Sequence, residues 1–416
     1  MNYSISRRQL LALLGASTVL PLHRLSAQTS AHNFRIRTIT AGVKMTNLDD
    51  LNALDGAAAF LNSARSDYLN AGYEVQTLRL STQPLFEYIQ DWQSGDSLAK
   101  IKRLDDFARQ QKMMLSLGPV NNASQSDEGF SEWMIELISS TTNISCSLIV
   151  ASAEQKAENK NFKTAARIMK GVAEVSEGGE GNFRFVASAW CPSGTPFFPA
   201  SYFEEESFSI GLESADLLQT SFLEKTGSKS ADEKLKEDME AALMPVQKQA
   251  IKLEKSRGRA YLGIDTSPAP NLDVSIGRAI ETLSGVPFGS PTTLASCARI
   301  TDVLKSLQIR SCGYSGLMLP ILEDTTLAKR AAEGRYSVSD LLLYSSVCGT
   351  GLDVVPLPGD ISEQQLAGLV NDVAALATKY RKPLSARLFP VPGKKAGDIV
   401  KFNNPYLTDA MVMKVE

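Results

Sequence analysis

A thiol at a glycine turn, two carboxylates beside apolar runs and an arginine on a strand end are the residues of this chain best suited to chemistry. Cys348 opens the turn in "VCGTGLDVVPLPGD", where three glycines let backbone approach a ligand or another chain segment closely. A functional thiol there lines a cavity beside a cation; the alternative is a small buried hydrophobe. Asp265 in "LGIDTSPAP" follows a strand, and strand ends are where α/β folds carry ligand-binding groups, although an Asx-turn accounts for it equally well. Glu213 and Asp216 lie in "SIGLESADLL", read as a helix start, with Asp216 complementing the helix dipole and Glu213 a candidate acid or base. Cys348, Asp265 and Glu213 are therefore the catalytic candidates. All three are expected around one cavity with Arg387.

Arg387, Lys394 and Lys395 form a compact basic group that can bind a carboxylate or phosphate, the arginine as a fork and the lysines as point charges. Ser290, with Gly289, Thr292 and Thr293, opens a helix where free N–H groups can hold an anion, unless ordinary capping uses them. Asp353 after the cysteine turn and Asn403 in "FNNPYL" complete the ligand-facing set. Tyr314, Glu323 and Asp324 in "CGYSGLMLPILED" add oxygen donors for a hard divalent cation such as Mg²⁺ or Ca²⁺. Arg278 and Glu281, one helical turn apart, read as a surface ion pair.

Absences narrow the chemistry. The 416 residues contain two histidines, His23 and His32, both near the N-terminus. Ser-His-Asp and Cys-His systems are excluded from the body of the chain, as are haem and zinc sites built on histidine. Acid-base work falls to Asp, Glu, Lys, Tyr or Cys. The five cysteines, at 146, 191, 297, 312 and 348, show no C-x-x-C spacing, so neither structural zinc nor an iron-sulfur cluster is expected. Cys146 and Cys297 lie in apolar patterns and read as buried thiols, whereas Cys191, Cys312 and Cys348 sit at turns.

Arg7 and Arg8 precede an apolar run from Leu10 to Leu20 and a small-residue site ending at Ala27. The run is too short for a membrane span, and Ser-Arg-Arg-x-Leu-Leu resembles a twin-arginine export signal, with an ordinary secretory signal or an uncleaved anchor as the alternative. Cleavage after residue 27 gives a periplasmic or otherwise exported chain with 40 basic and 46 acidic side chains, net −6. That charge provides no basic face for nucleic acid. The expected partner is a small molecule, with a homo-oligomer possible and no stable membrane span.

Apolar periodicity places helices at 47–71, 96–111, 129–139, 153–175, 231–256, 292–308, 338–347 and 361–380. Short strands alternate with them near 34–40, 74–80, 113–117, 146–151, 183–189, 259–264, 315–319, 353–356 and 384–389. Asp360 and Glu363 suggest a capping box for the last long helix. The alternation predicts a mostly parallel, helix-covered sheet or barrel. No linker interrupts it, so one domain over 28–416 is expected.

The Gly- and Pro-rich blocks "PSGTPFFPASYF", "FSIGLESADLL", "GIDTSPAP", "SIGRAIETLSGVPFGSPTTLAS", "CGYSGLMLPILED", "YSSVCGTGLDVVPLPGD" and "LSARLFPVPGKKAGDIVKFNNPYL" resemble the signature of the family called domain of unknown function 711. The resemblance runs from "RIRTITAG" to "FNNPY" and implies a single α/β barrel-like domain with a pyruvate formate-lyase-like fold. It implies no reaction. Glycyl radical enzymes of that fold carry an Arg-Val-x-Gly-aromatic motif, whereas here Gly393 is followed by Lys394 and oxygen would quench a radical in an exported protein. A shared fold is weak support for shared chemistry. The expectation is an enzyme acting on a small anionic or polar substrate without a glycyl radical. A non-catalytic periplasmic binding protein is the alternative.

Overall fold

The computed structural model describes residues 34–89, 91–121, 129–153, 158–224 and 229–415. The export-signal residues, including Arg7, Arg8 and Ala27, lie outside the described residues. Nine strands form one sheet: β1 Arg35–Val43, β2 Val75–Thr82, β3 Met114–Pro119, β4 Ile144–Ala151, β5 Phe185–Ala189, β6 Ser207–Glu213, β7 Ala260–Ala269, β8 Gly351–Pro358 and β9 Leu384–Val391. Their spatial order is β7-β6-β1-β2-β3-β4-β5-β9-β8. Strands β1 to β5 run parallel, β6 and β9 join antiparallel at either side, and β7 and β8 run parallel to those neighbours. The N-terminal ends of β1–β3 therefore lie on the same side as the C-terminal ends of β6 and β7.

Helices cover the sheet, and alternation along the strands separates two interiors. Cys146, Leu148 and Val150 of β4 enter the main apolar core, where Phe130, Phe185 and Phe208 are also fully buried. Each such side chain contributes roughly 1.5–3 kcal/mol by leaving water. On the other face, Val186 of β5 joins a smaller cluster with Phe197, Tyr314 and Met318.

Three helices, Ala215–Leu223, Ile276–Ser284 and Thr325–Ala332, lie outside the ranges expected from periodicity, each being only about two turns long, although the helix start read in "SIGLESADLL" and the helical spacing of Arg278 and Glu281 point to the first two. Glu213 closes strand β6 instead of opening a helix, because Ser207–Glu213 is buried on both faces and so lacks the half-polar alternation of a recognisable strand. The expected strand at 315–319 is an irregular crossing. Ser311 forms a parallel bridge to Ile264 of β7, and Pro320 forms one to Asp353 of β8. One segment thus touches both edges of the sheet. The capping box of the last long helix is Ser362 with Gln365, since Ser362 and not Asp360 is the N-cap. Arg278 does not pair with Glu281, whose carboxylate is taken by Arg330 at 2.6 Å.

Candidate functional site

A cavity of about 510 Å³ opens where the N-terminal ends of β1–β3 face the C-terminal ends of β6 and β7. Arg37, Arg79, Asp265, Glu323 and Arg387 are among its lining residues, with Phe198 and Tyr406.

One wall is a chain of alternating charges. Glu213 Oε2 accepts from Arg37 Nη1 at 3.2 Å, and Arg37 Nη2 donates to Glu323 Oε2 at 2.8 Å. Glu323 Oε1 accepts from Arg387 Nη2 at 2.8 Å, and Arg387 Nε donates to Asp353 Oδ1 at 2.7 Å. Two arginines and three acids from four strands and the Ile321–Glu323 turn are so connected. Bulges aim several of them. The β1/β6 register steps from Ile36↔Leu212 to Thr38↔Gly211, leaving Arg37 as the extra residue. The β8/β9 register steps from Leu352↔Ala386 to Val355↔Leu388, so Asp353 and Val354 together oppose Arg387. Val354 takes φ 44° there, an unusual conformation for a β-branched residue.

The electrostatics of this wall are uneven. Burial pushes Asp353 up to about 6 against the pull of Arg387, and its Oδ2 has no hydrogen-bond partner. For Arg387 burial opposes the charge, but Asp353 and Glu323 outweigh it and raise its pKa. Buried ion pairs contribute little net stability, because desolvation offsets attraction. What they supply is a fixed arrangement of charge.

Arg79 on β2 differs from these arginines. Its Nη1 donates to the Pro196 carbonyl at 3.2 Å, its guanidinium lies 5.2 Å from the Phe198 ring centroid, and its buried Nε has no partner. Burial, followed by repulsion from Arg37 and Arg387, pushes its pKa down to about 9. A cation held unpaired in a cleft is stabilised by an arriving anion.

Asp265 lines the same cavity but is fully engaged by backbone. Oδ1 accepts from Ser267 and Ser315 N–H and Oδ2 from Tyr314 N–H, each at 3.0 Å, which clamps the 313–316 turn. Burial lifts its pKa against these donors. Asp265, Arg387, Glu213 and Asp353 are thus in or directly behind the cavity wall, Glu213 through Arg37 and Asp353 through Arg387.

Cys348 is fully buried in the main apolar core, outside the cavity lining. Its carbonyl accepts from Lys382 Nζ at 2.7 Å, together with the carbonyls of Ser345 and Ser346, so the lysine closes the end of the Val338–Ser345 helix. The next residue, Gly349, packs on Gly316, where a Cβ would stand 2.4 Å from the Gly316 Cα. The glycines at this turn serve backbone-to-backbone contact.

Lys394, Lys395 and Asn403 are exposed and do not line the cavity, so Arg387 and the two lysines are not one group. Ser290 N–H donates to Pro287 O, Thr293 N–H to Ser290 O and Gly289 N–H to Thr293 Oγ1, so these donors are used in the turn itself. Asp324 is likewise occupied. It receives the N–H groups of Ile276 and Gly277 and those of Thr326 and Leu327, capping two helices at once. Among the described residues no three His, Cys, Asp or Glu side chains are grouped to hold a metal ion. No helix among them is long and apolar enough to cross a membrane.

Arg37 and Arg79 had no assigned role in the sequence reading, and Glu323 was read as an oxygen donor for a cation instead of the carboxylate shared by Arg37 and Arg387. The signal for Arg37 and Arg79 is a charged residue within an apolar strand, as in "VQTLRLST", where a sheet covered on both faces leaves no solvent for it.

A family model described as "Uncharacterised ACR (DUF711)" matches residues 28–403. A UPF0210 protein of Pyrobaculum aerophilum is 27% identical over 354 residues, covering 80% of this chain and 78% of the relative. One from a Thermoanaerobacter species is 24% identical, covering 92% and 91%. Another from Syntrophobacter fumaroxidans reaches 36% identity over 156 residues, covering 36% and 34%.

Proposed function

We propose that this chain, which belongs to the DUF711 family, takes a small anionic molecule into its 510 Å³ cavity and holds it on Arg79. The observation that carries this reading is the guanidinium of Arg79, which has no carboxylate partner among the described residues and an orphaned Nε, facing a cleft where its neighbours Arg37 and Arg387 are already matched by carboxylates. In a chain of net charge −3 a cationic cleft is a local specialisation. Isothermal titration of small carboxylates and phosphates against the protein and Arg79→Met tests it. Saturable binding lost in the variant supports the reading, and binding that survives the substitution removes Arg79 from the site.

The enzymatic form of this function rests on Asp353. An acid titrating near 6, with a free oxygen and a guanidinium shared with the cavity, is suited to hold or release a proton near neutral pH. Loss of turnover in Asp353→Asn with ligand binding retained would support catalysis; turnover by the variant would leave the binding function alone.

Two further parts belong to the same proposal. The sheet is read as closing into a pyruvate formate-lyase-like barrel through residues 311–320, supported by the bridges from Ser311 and Pro320 to opposite edge strands. Export is proposed on the Arg7–Arg8 pair, the apolar run from Leu10 to Leu20 and the small-residue site ending at Ala27. Replacing Arg7 and Arg8 with Lys should retain the protein in the cytoplasm. Unchanged export would exclude the twin-arginine route.

A further inference from the structure

We infer that the ligand is a two-headed anion with an apolar middle, its second head held at the cavity rim by Lys112 and Arg65; this rests on the anion-binding reading of the cavity. Both residues line the same cavity as Arg79, and no ion pair to either is found among the described residues. Arg65 is anchored by donating to the Val75 carbonyl at 2.9 Å, at the outer end of β2. Lys112 is exposed and immediately precedes Met113 and Met114, which line the cavity too.

Strand geometry sets the spacing. Arg79 pairs in register with Met114, two residues beyond Lys112. Lys112, in the turn before β3, therefore lies within about 7 Å of chain from Met114, which stands about 5 Å across from Arg79. Met114, in register with Arg79, is the partly exposed apolar residue of this part of the lining, while Leu78 and Met113 reach it from the main apolar core. A molecule with carboxylate-like heads roughly 5–9 Å apart and a hydrocarbon centre matches this layout. A single-headed anion would leave the rim cations unused.

Lys112 also occupies a costly backbone position. It follows the Ser97–Gln110 helix with φ 55°, where its N–H donates to Arg109 O and Met113 N–H donates to Ala108 O. Glycine is the ordinary residue at such a left-handed helix end. A lysine there carries a modest strain, as Arg381 does at the end of the Glu363–Tyr380 helix.

The test uses the full chain and isothermal titration with succinate, glutarate, adipate, pimelate and suberate, each against the monocarboxylate of equal length. One dicarboxylate should bind about tenfold tighter than its monocarboxylate, the value of one added charged contact. Lys112→Gly should bring that ratio close to one while raising the melting temperature, which separates loss of contact from loss of folding. A ratio near one at every length, or a ratio unchanged in Lys112→Gly, overturns the second head but leaves Arg79 as the anion site. Failure of both series to bind overturns the cavity reading and this inference with it.

Discussion

Arg387 stands opposite a bulge that presents Asp353 to it, Nε to Oδ1 at 2.7 Å, while the neighbouring Val354 takes the left-handed backbone that makes the bulge. The pair is almost wholly buried, with the acid 0% exposed and the arginine, which meets the cavity, 2%. Burial, and not the absence of a partner, keeps Asp353 reluctant to ionise.

This fixes a pH dependence. A carboxyl carried from 3.8 to about 6 in the folded state binds its proton more tightly folded than unfolded. Its contribution is fully present below pH about 4 and is lost as pH rises through 6, a change of about 3 kcal/mol. Urea unfolding from pH 4 to 7 should show this falling component, and Asp353→Asn should lack it. An unchanged slope in the variant would assign the effect elsewhere.

Glu323 and Arg79 should respond oppositely to truncation. Glu323→Ala leaves Arg37 and Arg387 facing each other without their shared carboxylate and should cost about 3–5 kcal/mol in urea unfolding. Arg79→Met removes a guanidinium that has no carboxylate and an unsatisfied Nε, so stability should hold or rise by about 1 kcal/mol. A large loss in Arg79→Met would mean that its contacts with Pro196 and Phe198 are structural.

Gly349→Ala should be among the most damaging single-methyl additions in the chain. The added carbon would meet the Gly316 backbone at 2.4–3.0 Å, and neither segment can retreat without disturbing the Pro320–Asp353 bridge. A cost of about 3 kcal/mol is expected. Gly72→Ala provides a contrast: it has open space around it but φ 87°, so only the backbone penalty of roughly 1–2 kcal/mol applies.

Native-state alkylation should spare most thiols. Burial pushes Cys146 and Cys191 up to about 12, raises Cys297 as well, and Cys348 is 0% exposed. Cys312, half-buried, should be labelled first, and slowly, because burial raises its thiol too. Rapid labelling of Cys348 in the folded protein would show that the turn opens and would restore it as a site residue.

The sequence by itself determined the alternation of strands and helices, because covered parallel strands read as apolar runs and long helices carry the 3.6-residue period. It also determined the scarcity of imidazole and singled out Asp265 and Arg387, a carboxylate and a guanidinium in apolar strand contexts that both line the cavity. The family match over 28–403 agrees with the resemblance carried by the seven Gly- and Pro-rich blocks. What those blocks surround was decided by the tertiary structure. Arg37, Glu323 and Arg387 are separated by up to 350 residues in sequence and meet only because β1 and β9 converge on the turn at Glu323. Bulges supply the aim, and a one-residue insertion leaves almost no pattern in a strand whose faces are both buried. Cys348 shows the converse. Local composition marks a place where backbones come close, but whether the neighbour is a ligand or Gly316 depends on a segment more than thirty residues away. Close approach is a local property of glycine; its partner is a property of the fold.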